Sequence, residues 1–490
     1  MGKNNFSSSE PAAGPFDGMK VLVMGLGLHG GGVEAARYMV NMGAEVTVTD
    51  LRDEKVLAPS IEKLGSLPVR YVLGKHNIED FSKADMVVKN PGVKIDSPFL
   101  RAAKRIETDI SLFLSAGLLS SGKVRLIAVT GSKGKSGTSS ALHWVLDKER
   151  TETAGSIAGK AWLGGNITVS PLSFLDKLKE GDDVVLELSS WQLGDLRGRT
   201  ILKPRAAILT AIMEDHLNRY VNMEAYVGDK RLIYQNQDEG DVTVAGNDEW
   251  GKSFLRETPG RKLIYSADPL PEGISGGWII NSSGPGVARM YQASGITGAP
   301  GAIAEVVPEH LLVPGYHQKQ NLLAAALALL DLGLKPDFIR ECLGHFPGIE
   351  HRLEFFHEDG GIRFYNDSAA TIPEAAAAAI KAFENPTVLV TGGTDKNLDF
   401  GVLARAAAGV KAIILLAGTG SDKLKTLLND AGVRYEGPFD NLDTAIQTAL
   451  NAAESGDTVV LSPGCASFGM FLNEFDRGKK WKEGVRRLTQ

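Results

Sequence analysis

From Met19 onward the chain repeats one rhythm: a short apolar run ending at a glycine or a polar residue, then a stretch with helical periodicity. It begins with KVLVMG, passes through EAARYMVNMG and returns as AEVTVTD. Apolar strands joined by helices specify parallel sheets covered on both faces, because the crossover that keeps two strands parallel is long enough to be a helix. The predicted fold class is α/β. The rhythm restarts at VRLIAVTG, DDVVLELSS and PRAAILTAI, and again beyond Gly348 with GIRFYNDS, PTVLVTGG, KAIILLAG and DTVVLSPG. A chain of 490 residues exceeds what one core supports, so three domains are expected, over residues 19–112, 113–348 and 349–490. The segment from Glu257 to Ala304, rich in Gly, Pro and Ser, is expected to hold irregular or short β structure on the second domain.

Charge and cysteine usage narrow the function. A formal charge of -6 leaves no general basic surface for a nucleic-acid backbone, so an anionic ligand must be held locally. The two cysteines, Cys342 and Cys465, lie far apart and without metal-ligand spacing, which fits a reducing compartment. The opening MGKNNFSSSEPAAGPFDG is polar, and no run could span a bilayer. A flexible tail over residues 1–18 and a cytoplasmic protein without membrane insertion are the expectations.

The strongest chemical signal is AVTGSKGKSGTSS, a strand running into Gly131, Ser132, Lys133, Gly134, Lys135 and Ser136 and then into a helix. Glycine permits the tight turn, amides at a helix N-terminus attract phosphate, a lysine reaches the terminal phosphates, and a serine hydroxyl can ligate magnesium. The general P-loop has four residues between its glycines, whereas this one has Ser132 and Lys133 alone. Upstream, GLGLHG places Gly25, Gly27 and Gly30 after a strand, with Asp50 closing the next strand. That pattern suits a dinucleotide, another nucleotide, or simple helix–strand packing. Glu187 in LELSSWQL, at a strand end, is placed for magnesium. His216 in MEDHLNRY and Lys230 in YVGDKRLIY each also read as an ordinary polar residue, and only the combination raises them.

Taken in order, GLGLHGGG, NPGV, TGSKGKS, GGNI, LELSSWQL, EDHLNRY, YVGDKRLIY, GYHQKQN, EHRLE, NDSAAT, GGTDKNLDF and SPGCASF resemble the Mur ligase family from residue 19 to the C-terminus. The resemblance implies a Rossmann-like UDP-binding domain, a central P-loop ATPase domain and a C-terminal Rossmann-like domain that binds an amino acid. Its most similar branch adds D-glutamate to UDP-N-acetylmuramoyl-L-alanine for cytoplasmic peptidoglycan synthesis. By position, it implies that Gly27, Leu28, His29, Gly30, Asp50, Arg52 and Gly92 hold the UDP part of the acceptor, with Asn166 near its reacting end. It further implies ATP at residues 131–136, Asn321, Arg352 and Asp367, and two magnesium ions at Ser136, Glu187, His216 and Lys230. Lys230 matches the family's carbamylated lysine, formed with CO2, and Arg352 would reach the transferred phosphate. The catalytic set implied is Lys135, His216, Lys230 and Arg352, in a protein expected to be monomeric.

Thr371, Lys396 and Ser467 fall on positions of the amino-acid pocket, and Lys396 could pair with a side-chain carboxylate. Four positions depart from the pattern. Ala369 stands where many relatives carry lysine, Glu474 replaces an aromatic now found at Phe475, Gln318 replaces an asparagine, and Ala211 does the same in TAIMEDH. These keep a sibling ligase for another amino acid open as an alternative. A silent nucleotide-binding relative and an NAD-dependent oxidoreductase leave Lys135, Glu187, His216 and Lys230 unexplained together. A thiol mechanism at Cys465 has no partner histidine signalled in sequence.

Overall fold

A computed structural model describes residues 15–152, 159–214, 219–291 and 301–489, with the side chain of Ser282 excepted. The tail up to residue 14 and His216 lie outside the described residues. Three sheets run in chain order, as the α/β rhythm predicts.

The first sheet contains β1 (Lys20–Met24), β2 (Glu45–Asp50), β3 (Val69–Leu73), β4 (Met86–Lys89) and β5 (Ile106–Glu107), in the order β3-β2-β1-β4-β5. All its pairings are parallel. The strand order reverses between β1 and β4, and such a switch point opens a crevice at the carboxyl ends of the strands. GLGLHG follows β1 and NPGV follows β4, so both line that crevice.

The second sheet contains β6 (Arg125–Thr130), β7 (Ala161–Gly165), β8 (Asp183–Glu187), β9 (Ala206–Leu209), β10 (Val242–Gly246), β11 (Arg261–Ser266), β12 (Gly276–Ile279), β13 (Gly286–Arg289) and β14 (Ile303–Val307). Their order is β14-β13-β12-β11-β10-β9-β6-β8-β7. Strands β6 to β12 pair in parallel, and β13 and β14 extend the edge as antiparallel strands. The Gly- and Pro-rich stretch thus forms short β structure where it is described. β6, which leads into the phosphate-loop candidate, and its neighbour β8 have apolar residues buried on both faces.

The third sheet contains β15 (Glu354–Asp359), β16 (Ile362–Asn366), β17 (Thr387–Gly392), β18 (Ala412–Leu416), β19 (Glu436–Phe439) and β20 (Thr458–Leu461). Its order is β15-β16-β20-β17-β18-β19, parallel except for the β15–β16 hairpin.

The apolar interior does not divide evenly. One continuous core runs from Val21 and Met39 in the first sheet's layers through Phe113 and Phe174 to Leu186 and Tyr226 in the second. Polar bonds cross the same boundary. Lys89, at the end of β4, forms a buried ion pair with Asp195 of the helix Ser190–Leu196. Asp109 accepts a hydrogen bond from Ser170 Oγ at 3.0 Å. The third sheet has cores of its own on its two faces, and Tyr365 donates from its hydroxyl to Leu312 O at 2.7 Å across to the second sheet's layers.

Candidate active site

The phosphate loop forms where β6 ends inside the sheet and the helix Lys135–Glu152 begins. Two glycines make the turn possible. Gly131 has φ +153° and Gly134 φ +90°; a Cβ on the first would lie 1.9 Å from Thr210 Oγ1, and one on the second 2.3 Å from Asn321 Oδ1. Thr210 donates to Lys133 O at 2.6 Å, while Ala211 O accepts from the amides of Ser132 and Lys133. The role of position 211 here is carried by its backbone, which explains why alanine serves. Ser132 Oγ bridges Met213 O and the Tyr226 hydroxyl, each at 2.9 Å. Those contacts fix the loop's first half. The amides of Gly134 and Ser136 have no hydrogen-bond acceptor among the described residues, as expected of donors at a helix N-terminus that faces a ligand site. Lys135 folds back over the loop, donating to Gly131 O at 3.0 Å and Ser132 O at 3.1 Å.

Three other predicted residues converge here. Glu187 ends β8 beside the loop and is 1% exposed. Its carboxylate accepts from Asn166 Nδ2 at 3.0 Å and from Ser139 Oγ at 3.5 Å, with no ion pair among the described residues. A buried carboxylate without a cation is costly unless a metal ion or proton completes it. Ser139 Oγ, which touches this carboxylate, also bonds the Ser136 carbonyl at 3.3 Å, and oxygen donors of this kind suit a magnesium ion. Lys230 ends the helix Met223–Lys230 and is 1% exposed, its amine donating to Gly131 O at 2.8 Å and lying 4.5 Å above the Tyr226 ring. Asn321 reaches the loop from the helix Tyr316–Asp331. Gln318, one turn earlier on that helix, would lie 2.9 Å from a Cβ on Gly137, so the longer amide fills the space over the phosphate-loop helix.

In the switch-point crevice Asp50 is buried, accepting from Gly27 N at 3.1 Å and Arg52 N at 2.9 Å. Leu28, His29 and Gly92 are exposed on the rim. Gly30 caps the next helix and faces Thr168 O, in the loop that carries Asn166. The close helix–strand approach belongs to Gly32, whose Cβ would sit 2.4 Å from the carbonyls of Gly25 and Leu26. The spacing of Gly25, Gly27 and Gly30 draws the eye away from that glycine, although the GGG run contains it.

The third sheet gathers Thr371, Lys396 and Ser467 in the loops that follow β16, β17 and β20, three neighbouring strands. Backbone bonds between Thr394 and Ala466, and from Gly464 N to Ala370 O, tie these loops together. Arg352 is exposed, between His351 at φ +65° and Leu353 at φ +44°. Two non-glycine residues in that region, one on each side of Arg352, indicate stored strain. Asp367 holds the turn, accepting from Leu353 N at 3.1 Å and Ser462 Oγ at 2.6 Å. Arg352, Thr371, Lys396 and Ser467 lie on the third sheet's side, and no hydrogen bond or ion pair among the described residues joins them to the phosphate loop.

Burial pushes the Asp367 carboxyl up to about 6, against the opposing hydrogen bonds and the Arg352 charge. Because the folded chain holds this proton more tightly than the unfolded one, stability is highest below the usual carboxylate range and falls as pH rises through 6. An Asp367→Asn variant should therefore gain on the parent between pH 4 and 7, by about 3 kcal/mol at most. Parallel melting curves across that range check it; a constant difference would show that this carboxyl does not titrate there.

Sequence reasoning missed several neighbours of the site. Thr210 and Tyr226 open TAIMEDH and YVGDKRLIY without being singled out there, Arg477 lies outside the quoted motifs, and the roles of all three come from contacts made far apart in the chain.

Comparison with known families accounts for all three sheets. The model of the Mur ligase MurD-like N-terminal domain matches residues 19–111, that of the Mur ligase middle domain residues 129–329, and that of the Mur ligase glutamate ligase domain residues 351–465. The chain belongs to the Mur ligase family. Within the family it is 39% identical to the UDP-N-acetylmuramoylalanine--D-glutamate ligase of Treponema pallidum (strain Nichols), over 97% of this chain and 99% of that protein. The protein of the same name from Roseiflexus sp. (strain RS-1) is 38% identical, over 96% and 99%. The three-domain Mur ligase fold is also that of the UDP-N-acetylmuramate-alanine ligase MurC from Thermotoga maritima. That structure has a TM-score of 0.54 at 19% identity and covers 96% of this chain and 100% of its own. No helix among the described residues is long and apolar enough to cross a membrane.

Proposed function

We propose that this Mur ligase joins D-glutamate to UDP-N-acetylmuramoyl-L-alanine at the expense of ATP, in peptidoglycan precursor synthesis. The observation that carries the proposal is the near-full-length likeness to D-glutamate ligases, in a chain whose Lys230 bonds the phosphate loop and whose Glu187 bonds the helix that follows it.

On this reading the three expected domains divide the work. Residues 19–112 hold the UDP part of the acceptor through Gly27, Leu28, His29, Gly30, Asp50, Arg52 and Gly92. Residues 113–348 bind ATP through the phosphate loop and Asn321, and residues 349–490 bring the amino acid to Thr371, Lys396 and Ser467. The acceptor carboxylate attacks the γ-phosphate, forming an acyl phosphate and releasing ADP; the amino group of glutamate then attacks the acyl carbon and inorganic phosphate leaves. Lys135 and the amides of Gly134 and Ser136 stabilise phosphate charge, and Asn166 orients the acceptor end near Glu187. Magnesium, when bound, neutralises charge on the phosphates and the attacking carboxylate. Ser136, Glu187 and His216 are its proposed ligands, together with Lys230 as a carbamate: condensation of the neutral amine with CO2 turns a cation into an anion able to complete the site. Arg352, on its strained turn, meets the transferred phosphate when the third domain closes and excludes water. The enzyme is read as a cytoplasmic monomer.

The test is phosphate release from ATP and magnesium with UDP-N-acetylmuramoyl-L-alanine, comparing D-glutamate with L-glutamate and other amino acids. Release that requires D-glutamate is expected. Release driven better by another amino acid would move the chain to a sibling activity.

A further inference from the structure

Arg477, in the first turns of the helix Glu474–Leu488, has an environment unlike that of Lys89. Both side chains are buried, Arg477 to 1% exposure. Lys89 is paired with Asp195, whereas Arg477 forms no ion pair among the described residues. Its guanidinium donates to neutral oxygens: Nε to Ser368 Oγ at 3.0 Å, Nη2 to Ser368 O at 2.9 Å and Nη1 to Cys465 O at 3.2 Å. Ser368 Oγ passes the connection on, donating to Glu474 O at 2.7 Å. A third segment closes around the group, since a Cβ on Gly393 would lie 3.7 Å from Nη1.

The three segments are the loops after β16, β20 and β17, the same loops that carry Thr371, Ser467 and Lys396. Burial lowers the guanidinium's pKa to about 10, so it stays charged at neutral pH. A full positive charge therefore sits beneath the proposed amino-acid pocket, hydrogen-bonded only to neutral groups, with the Glu474 carboxylate attracting it without forming an ion pair. Burying a charge without a bonded counter-ion is unfavourable, and an anionic ligand bound above it offsets that cost.

We propose that Arg477 is a positioning residue for the amino-acid site: it holds the three pocket loops in register and supplies the positive field that favours an amino acid with a second carboxylate. This rests on the function proposed above, and it explains how the pocket can select a dicarboxylate although Ala369 contributes no charge. Arg477 acts through Ser368, Cys465 and the loop at Gly393, without touching the substrate.

Two substitutions separate the field from the scaffold. Arg477→Lys keeps the charge and loses most of the bonds; Arg477→Gln keeps a donor and loses the charge. In steady-state assays of the full-length enzyme with magnesium, Arg477→Gln should raise KM for D-glutamate at least tenfold, with KM for ATP and for the UDP-linked acceptor within twofold. Inhibition by D-glutamine, which lacks the side-chain charge, should be unchanged in that variant. Arg477→Lys should stay within about threefold of the parent in KM for D-glutamate. An unchanged KM in both variants overturns the proposal, and equal losses in both, or a parallel loss of D-glutamine binding, overturn the electrostatic role. Should Arg477→Gln fail to fold, Ser368→Ala provides the reading, with KM for D-glutamate raised and KM for ATP unmoved. A parent enzyme that releases phosphate only with some other amino acid refutes the function itself, a result distinct from any of these.

Discussion

Replacing Lys230 with alanine should slow turnover by about a thousandfold while leaving ATP affinity within a few fold, because a ligand of the proposed metal site is lost and the phosphate loop is not. The side chain donates to Gly131 O, and the loop is also held by contacts to Ala211, Thr210 and Met213. Kinetics with saturating magnesium, beside nucleotide titration by calorimetry, distinguish the two effects. A variant with parental turnover would refute the carbamate role, and one that cannot bind ATP would make Lys230 a structural prop of the loop. Lys230→Arg, which keeps a cation but cannot form the same carbamate, should be as slow as the alanine variant.

Gly131→Ala is expected to be comparably severe for a different reason. The added methyl would lie 1.9 Å from Thr210 Oγ1, at a backbone φ of +153° that side chains rarely adopt. Overpacking and strain each cost on the order of 1 to 3 kcal/mol, and the loop can relieve them only by moving the Gly131 carbonyl away from Lys135 and Lys230. Loss of detectable ATP binding and a lower melting temperature should appear together. Thr210→Ala removes the colliding oxygen along with its bond to Lys133 O, so the double variant should recover part of the stability lost by Gly131→Ala. Strict additivity of the two changes would show that the clash is not the cause.

Elements whose reasons are local were legible in the sequence. Strands such as β6 and β8 are apolar along their length and end in Thr130 and Glu187, and the turn from β6 into its helix is written in Gly131 and Gly134. The meeting of Glu187 with Asn166 follows from both lying at carboxyl ends of paired strands, which the βα rhythm predicts. What escaped depends on contacts between distant segments. Nothing near Arg477 announces that Ser368 and Cys465 will accept its hydrogen bonds, and nothing in EHRLE shows that both neighbours of Arg352 adopt positive φ. The displaced aromatic illustrates the same limit: Glu474 opens the last helix, and Phe475 is half-exposed with its ring 5.5 Å from that of His351. The aromatic thus borders the Arg352 turn, a relation that counting residues from Ser467 does not supply.

The buried pair of Lys89 and Asp195 joins segments that lie 106 residues apart. Because the apolar core is also continuous across that boundary, three sheets do not amount to three autonomous bodies. Cutting the gene between the first and second sheets would leave each fragment with an unneutralised charge at a bare apolar face, and both products should be insoluble. A cut ahead of the third sheet, which has its own cores, should yield two soluble fragments. In a calorimeter the intact chain should accordingly melt in two steps, the larger belonging to the first two sheets together.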